Sequence, residues 1–64
     1  MRIQHGTCIE LHQGDEYTVA KVVEIDGWLY ALGTDCEPLG RGMKKGKEFD
    51  PIKLFGKWNP GRIV

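Results

Sequence analysis

Tyr17-Thr18-Val19-Ala20-Lys21-Val22-Val23-Glu24-Ile25-Asp26-Gly27-Trp28-Leu29-Tyr30-Ala31-Leu32 sets the architecture of this 64-residue chain. Residues 17–25 are rich in β-branched side chains, which suit a pleated and half-buried surface. Asp26-Gly27 then separates this run from a second apolar one, residues 28–32. An Asp-Gly pair in that position signals a two-residue hairpin loop, because a type I′ turn needs positive φ at both central residues. The short loop fixes a register. Ile25 falls opposite Trp28, Val23 opposite Tyr30 and Lys21 opposite Leu32, with Glu24–Leu29 and Val22–Ala31 on the other face. Both faces are therefore partly apolar. One can fill a barrel interior, while the other is covered by a loop or a second subunit, or presents Trp28 and Tyr30 to a ligand. A slip of one residue would exchange the faces, so the sequence leaves this choice open.

Outward from the hairpin the elements shorten. Residues 7–11 read as a strand, and His12-Gln13-Gly14-Asp15-Glu16 as a polar turn. Residues 33–46 form a long connection with Pro38, Gly40, Gly42 and Gly46 and no hydrophobic period. Such a length is uncommon in a compact domain and is usually functional or mobile. Lys47-Glu48-Phe49 is expected to be a brief strand. Asp50, Pro51 and Gly56 mark the cap, first position and end of one helical turn over residues 51–55. A strand starting at Pro51 is the alternative. Trp58-Asn59-Pro60-Gly61 reads as a tight turn and Arg62-Ile63-Val64 as a closing strand.

The expectation is a mainly β chain: one domain over residues 1–64, built as a small five-stranded antiparallel barrel with one short helical turn near residues 51–55. Nine glycines and three prolines agree with many turns and short strands. A chain of this size buries only about 60% of its unfolded surface and has no room for a second domain. The 41% hydrophobic content fits one small core and is too high for a disordered tail. No apolar run approaches the ~18 residues of a membrane span. Met1-Arg2-Ile3-Gln4-His5-Gly6 lacks the apolar core of a signal peptide. A cytoplasmic protein without a membrane partner is expected, with Cys8 and Cys36 held as thiols rather than as a disulfide framework.

The segments Gly14-Asp15-Glu16-Tyr17-Thr18-Val19, Val22-Val23-Glu24-Ile25-Asp26-Gly27 and Tyr30-Ala31-Leu32, in this order of elements, resemble the Src-homology-3-like small barrel. The resemblance includes the KOW-type domains of ribosomal and transcription factors and covers about half of the chain. The aromatic-acidic groove motifs of peptide-binding members are missing, and the glycine pattern of a KOW segment is only partly met. The resemblance implies a fold. It implies no activity, since many functions use this architecture.

The charge is sharply divided. Up to Leu39, Arg2 and Lys21 stand against seven acids, a net of −5. From Gly40 onward, Arg41, Lys44, Lys45, Lys47, Lys53, Lys57 and Arg62 stand against Glu48 and Asp50, a net of +5. A basic segment with Phe49, Phe55 and Trp58 interleaved points to an anionic contact. The tract Gly40-Arg41-Gly42-Met43-Lys44-Lys45-Gly46-Lys47 departs from a nucleotide-binding P-loop in glycine spacing, and Glu48 stands at the hydroxyl position. Lysines on a glycine loop can instead track a phosphate backbone, or simply keep the loop solvated. Arg41, Lys44, Lys45 and Lys47 are thus the candidate phosphate contacts. Trp58 is the candidate stacking residue, with Trp28 or its neighbour Leu29 assigned to the core. The acids Glu10, Asp15, Glu16, Glu24 and Asp26 face a basic partner, pair with the chain's own basic half, or meet another copy head to tail.

His5, Cys8, His12 and Cys36 are zinc-ligand types at unsuitable spacing. On an extended strand, at ~3.3 Å per residue, Cys8 and His12 lie about 13 Å apart. A Cys–His nucleophile pair would need an orienting group and an oxyanion site that nothing in the sequence marks. No metal, no cofactor and no enzymatic activity are expected. The first functional expectation is a protein-interaction module, an adaptor, inhibitor or phage- or plasmid-type regulator, whose interface combines Trp28, Tyr30 and one charged end. The alternative is a nucleic-acid-binding module using residues 40–47 and Trp58. Homo-oligomers fit either reading.

Overall fold

The computed structural model describes residues 3–64. Met1 and Arg2, the latter among the bases counted above, lie outside the described residues, as does the start of the segment tested for a leader. Six elements follow in order: β1 (Cys8–Gln13), β2 (Glu16–Ile25), β3 (Trp28–Leu32), β4 (Met43–Lys44), α1 (Pro51–Phe55) and β5 (Asn59–Ile63). The strands form one antiparallel sheet in the order β4-β3-β2-β1-β5. It curls into a half-barrel with the short helix against it. Among the described residues no helix is long and apolar enough to cross a membrane.

The β2–β3 hairpin adopts the expected register, Ile25 opposite Trp28 through Lys21 opposite Leu32. Its turn has φ of 51° at Asp26 and 82° at Gly27, the type I′ requirement. The first hairpin is tighter than its sequence suggests. Strand pairing runs to Gln13 opposite Glu16, so Gly14-Asp15 alone makes the turn. Only Gly14 has positive φ there, at 59°, as glycine at the first central position of a type II′ turn does.

Strand parity chooses the buried face. Ile9 and Leu11 from β1, Ala20 and Val22 from β2, Leu29 and Ala31 from β3, and Met43 from β4 are all buried. Leu54 and Phe55 of α1 complete this core. Full burial of a large side chain contributes about 1.5–3 kcal/mol, and here it fastens the helix to the sheet. The helix carries the signals expected of it. Asp50 Oδ1 accepts from the backbone N–H groups of Ile52 and Lys53, Pro51 leads the first turn, and Gly56 ends it at φ 61°.

Two expected elements move. The short strand is Met43–Lys44, paired with Leu29 and Trp28, while Lys47-Glu48-Phe49 is irregular. Long-range pairing to β3 and burial of Met43 select it, and neither is visible in a local run of residues. The last strand begins at Asn59 and includes Pro60 and Gly61, where the sequence predicts a turn. β5 is an edge strand, where proline leaves no ladder donor missing. Its pairing with β1 shifts between Ile9 and Leu11, a bulge that takes up the extra residue.

The connection between β3 and β4 is more ordered than its composition implies. It turns at residues 33–37, bridges Leu32 to Pro38, and sends the Leu39 amide to the Ala31 carbonyl at 2.9 Å. The chain thus runs back along the free side of β3 before entering β4.

Candidate functional site

The +5 half is not left whole. Lys45 Nζ lies 3.0 Å from Glu24, and Arg62 lies 3.3 Å from Glu10. The acidic half therefore takes up two cations of the basic half. At the second pair, Glu10 also accepts from the Tyr17 hydroxyl at 3.1 Å. Partial desolvation, that hydrogen bond and the Glu10 charge hold the Tyr17 hydroxyl above its ordinary pKa, against the opposing pull of Arg62.

Arg41, Lys44, Lys47 and Lys53 make no ion pair among the described residues. All four line one groove of about 800 Å³ beside the edge strand β4, together with Trp28. Glu48 and Asp50 also border it, but Asp50 is engaged in capping α1. Glycines bring the loop into this shape. Gly42 has φ 88°, and a Cβ there would fall 2.5 Å from the Tyr30 ring. Its amide donates to the Lys53 carbonyl at 2.9 Å, tying the loop to α1.

Trp28 is 43% exposed because Leu29, its neighbour, points into the core. Cross-strand pairing sets it between Ile25 of β2 and Lys44 of β4. Its indole therefore stands on the outer face, beside groove cations, with exposed Ile25 next to it. Tyr30 shares this face but is half-buried against Gly42.

Trp58 does not serve the groove. It is half-buried and packs against the core, so the stacking role assigned to it from sequence is unsupported by its position. The turn after α1 directs it inward, with its amide donating to the Phe55 carbonyl at 3.1 Å. Lys45 is likewise drawn away, to Glu24. Lys53, missed by sequence reasoning, joins the groove because the capped helix carries it there. The signal was present in the Asp50-Pro51 start, which fixes the phase of the turn.

A second depression, about 460 Å³, opens at the mouth of the half-barrel. Its apolar wall is Ile3, Leu29, Met43, Phe49 and Leu54, and its rim carries His5, Glu24, Lys45 and Lys47. The rim is ordered. His5 Nδ1 accepts the Glu24 amide at 2.9 Å, and Glu24 holds Lys45. Phe49 meets buried Phe55 edge to face, with centroids 6.1 Å apart.

Cys8 and Cys36 are free thiols. Among the described residues no group of three or more His, Cys, Asp or Glu side chains is arranged to hold a metal ion. No family model matches the chain, and no curated protein or solved structure is significantly similar to it.

Proposed function

We propose that this chain is a small non-enzymatic interaction module that docks an acidic partner protein through the groove around Trp28. One observation carries the reading: four cations without an acidic partner share a groove with an exposed indole beside the edge strand β4. Aromatic and arginine side chains are favoured anchors at protein interfaces. Unpaired charge around them speeds encounter and selects partners of opposite sign. An adaptor, inhibitor or phage- or plasmid-type regulator, working in a reducing cytoplasm where Cys8 and Cys36 stay thiols, would use the surface in this way.

Nucleic acid is the second reading, favoured by the pairing of Trp28 with Lys44. An indole beside a cation can stack a base while the other cations meet phosphates, worth ~1–3 kcal/mol per stacked base.

Titration of the protein against polyglutamate and against single-stranded oligonucleotides, at low and raised salt, separates the two. The protein reading expects polyglutamate to bind at low salt and Lys44→Glu with Arg41→Glu to abolish it. Tighter oligonucleotide binding, with affinity falling steeply and linearly on a logarithmic salt scale, would replace it with the second reading. Failure of both polyanions to bind at low salt would remove the groove as a docking surface.

A further inference from the structure

We infer that the depression at the half-barrel mouth is an anchor pocket, and that the partner segment carries one bulky apolar side chain close to a run of carboxylates. The inference rests on the protein-docking reading and narrows it to a class of peptide. Two independent features of the structure meet here. The pocket has an apolar side, where Ile3 and Phe49 stand over the buried side chains of Leu29, Met43 and Leu54, and a polar side formed by Gln4, His5, Glu24 and the lysines. The neighbouring groove is cationic, and the two depressions have Met43 and Lys47 in common. A ligand lying across that shared border meets hydrocarbon on one side and unpaired positive charge on the other.

The chemistry argues for a peptide. A phosphate backbone would use the groove but gains little from an aliphatic wall. A purely acidic segment would leave the pocket wet. A segment with both features fills the pocket with an apolar side chain and neutralises Arg41, Lys44 and Lys47. At about 460 Å³ the pocket accommodates one large side chain with space around it. Phe49 is the wall residue best suited to respond. It is 39% exposed, and the rest of its ring is braced on buried Phe55. At the rim the Glu24–Lys45 pair leaves Lys47 as the cation free to meet a carboxylate.

The test uses the full chain and two synthetic peptides of glutamate and glycine, one carrying a single leucine and its twin carrying alanine there. Binding is followed by NMR, with the Ile3 methyls, which line the pocket and not the groove, reporting the pocket and the Trp28 indole N–H reporting the groove. The leucine peptide is expected to bind about tenfold or more tightly than its twin, as for a buried anchor, and to shift both reporters. Phe49→Ala should weaken the leucine peptide's binding far more than the alanine peptide's and so erase most of that difference, a coupling that general destabilisation would not produce. Phe49→Leu, which keeps an apolar wall, should retain the preference and guards against a folding defect in the alanine variant.

Equal affinity for the two peptides would overturn the anchor pocket and leave the groove reading intact. A leucine preference that survives Phe49→Ala, or appears without a shift at Ile3, would overturn it as well. If neither peptide binds at low salt, both the pocket and the docking reading fall. An oligothymidylate that outcompetes the leucine peptide would overturn the peptide assignment in favour of nucleic acid.

Discussion

The β2–β3 hairpin and the connection that follows it lie side by side in one sheet, yet they are held in different ways. The hairpin is fixed by its own ladder and by a turn whose two positive φ values cost little at Asp26-Gly27. A Cβ on Gly27 would meet nothing within 4 Å. The connection has almost no ladder. It is seated by backbone lying on backbone: a Cβ on Gly40 would stand 2.3 Å from the Lys53 carbonyl oxygen, and one on Gly56 would stand 2.6 Å from that of Leu39. In the hairpin, glycine is needed for a dihedral angle. At Gly40 it is needed for space. The candidate site draws on both regions: Trp28 comes from the hairpin, while Arg41 and Gly42 come from the connection and Lys53 from α1, so the cationic side of the groove depends on α1 more than on any turn within the loop.

Truncation of the helix anchor should have the largest effect. Phe55→Ala is expected to cost about 3–5 kcal/mol, as for other buried aromatics, and a domain this small is expected to unfold or nearly so. In a stabilising co-solvent, amide exchange at Leu39 and Gly42 should quicken ahead of exchange at Val22. If the hairpin opened first, the dependence of the connection on α1 would be disproved.

A matched pair of substitutions probes the contrast directly. Gly40→Ala drives a methyl into backbone that cannot rotate away, and should cost about 2–3 kcal/mol. Gly27→Ala, at φ 82° in open space, should cost about 1 kcal/mol through strain alone. Thermal denaturation of the two variants measures both. Equal losses would break the distinction between space and dihedral angle.

The helix cap comes next. Asp50→Ala removes the acceptor for the Ile52 and Lys53 amides and should lower stability by about 1 kcal/mol. Asp50→Ser removes the same charge from the groove border but keeps a capping oxygen, so Asp50→Ala is expected to bind polyanions more weakly than Asp50→Ser because the capped turn positions Lys53. Equal binding by the two variants would show that the groove does not need the helix held in register.

The smallest effect belongs to the ion pair that joins the two regions. Lys45→Gln should change stability by about 0–1 kcal/mol, less as salt rises. It should leave polyanion binding nearly intact, since Lys45 is engaged with Glu24. A loss of binding as large as that from Lys44→Glu would return Lys45 to the docking surface.

Fold and site were legible to different degrees, for physical reasons. Asp26-Gly27 and the capped Asp50-Pro51 turn are local devices, and their residues state their own geometry. The pair Trp28 and Leu29 was half legible: adjacent strand residues must face opposite ways, but which one faces inward depends on what packs there. Lys57 and the Pro60-Gly61 pair that flank Trp58 imply a surface position for it. Its inward direction comes from the path of the chain after α1. Lys53 stands apart from the lysine-rich tract in sequence, yet it shares a groove with Arg41 and Lys44. The strand at Met43–Lys44 has only two residues, too few for any period to register.

By itself the sequence determined the β class, the register of the central hairpin, the helical turn and the separation of charge along the chain. These depend on neighbours a few residues apart, whose dihedral preferences and alternation act locally. Only the tertiary structure decided which sheet face is buried, which cations stay unpaired and which tryptophan meets the solvent. Those outcomes depend on long-range contacts between Met43 and β3, between residues 40–42 and α1, and between Glu24 and Lys45, whose partners adjacent positions do not specify.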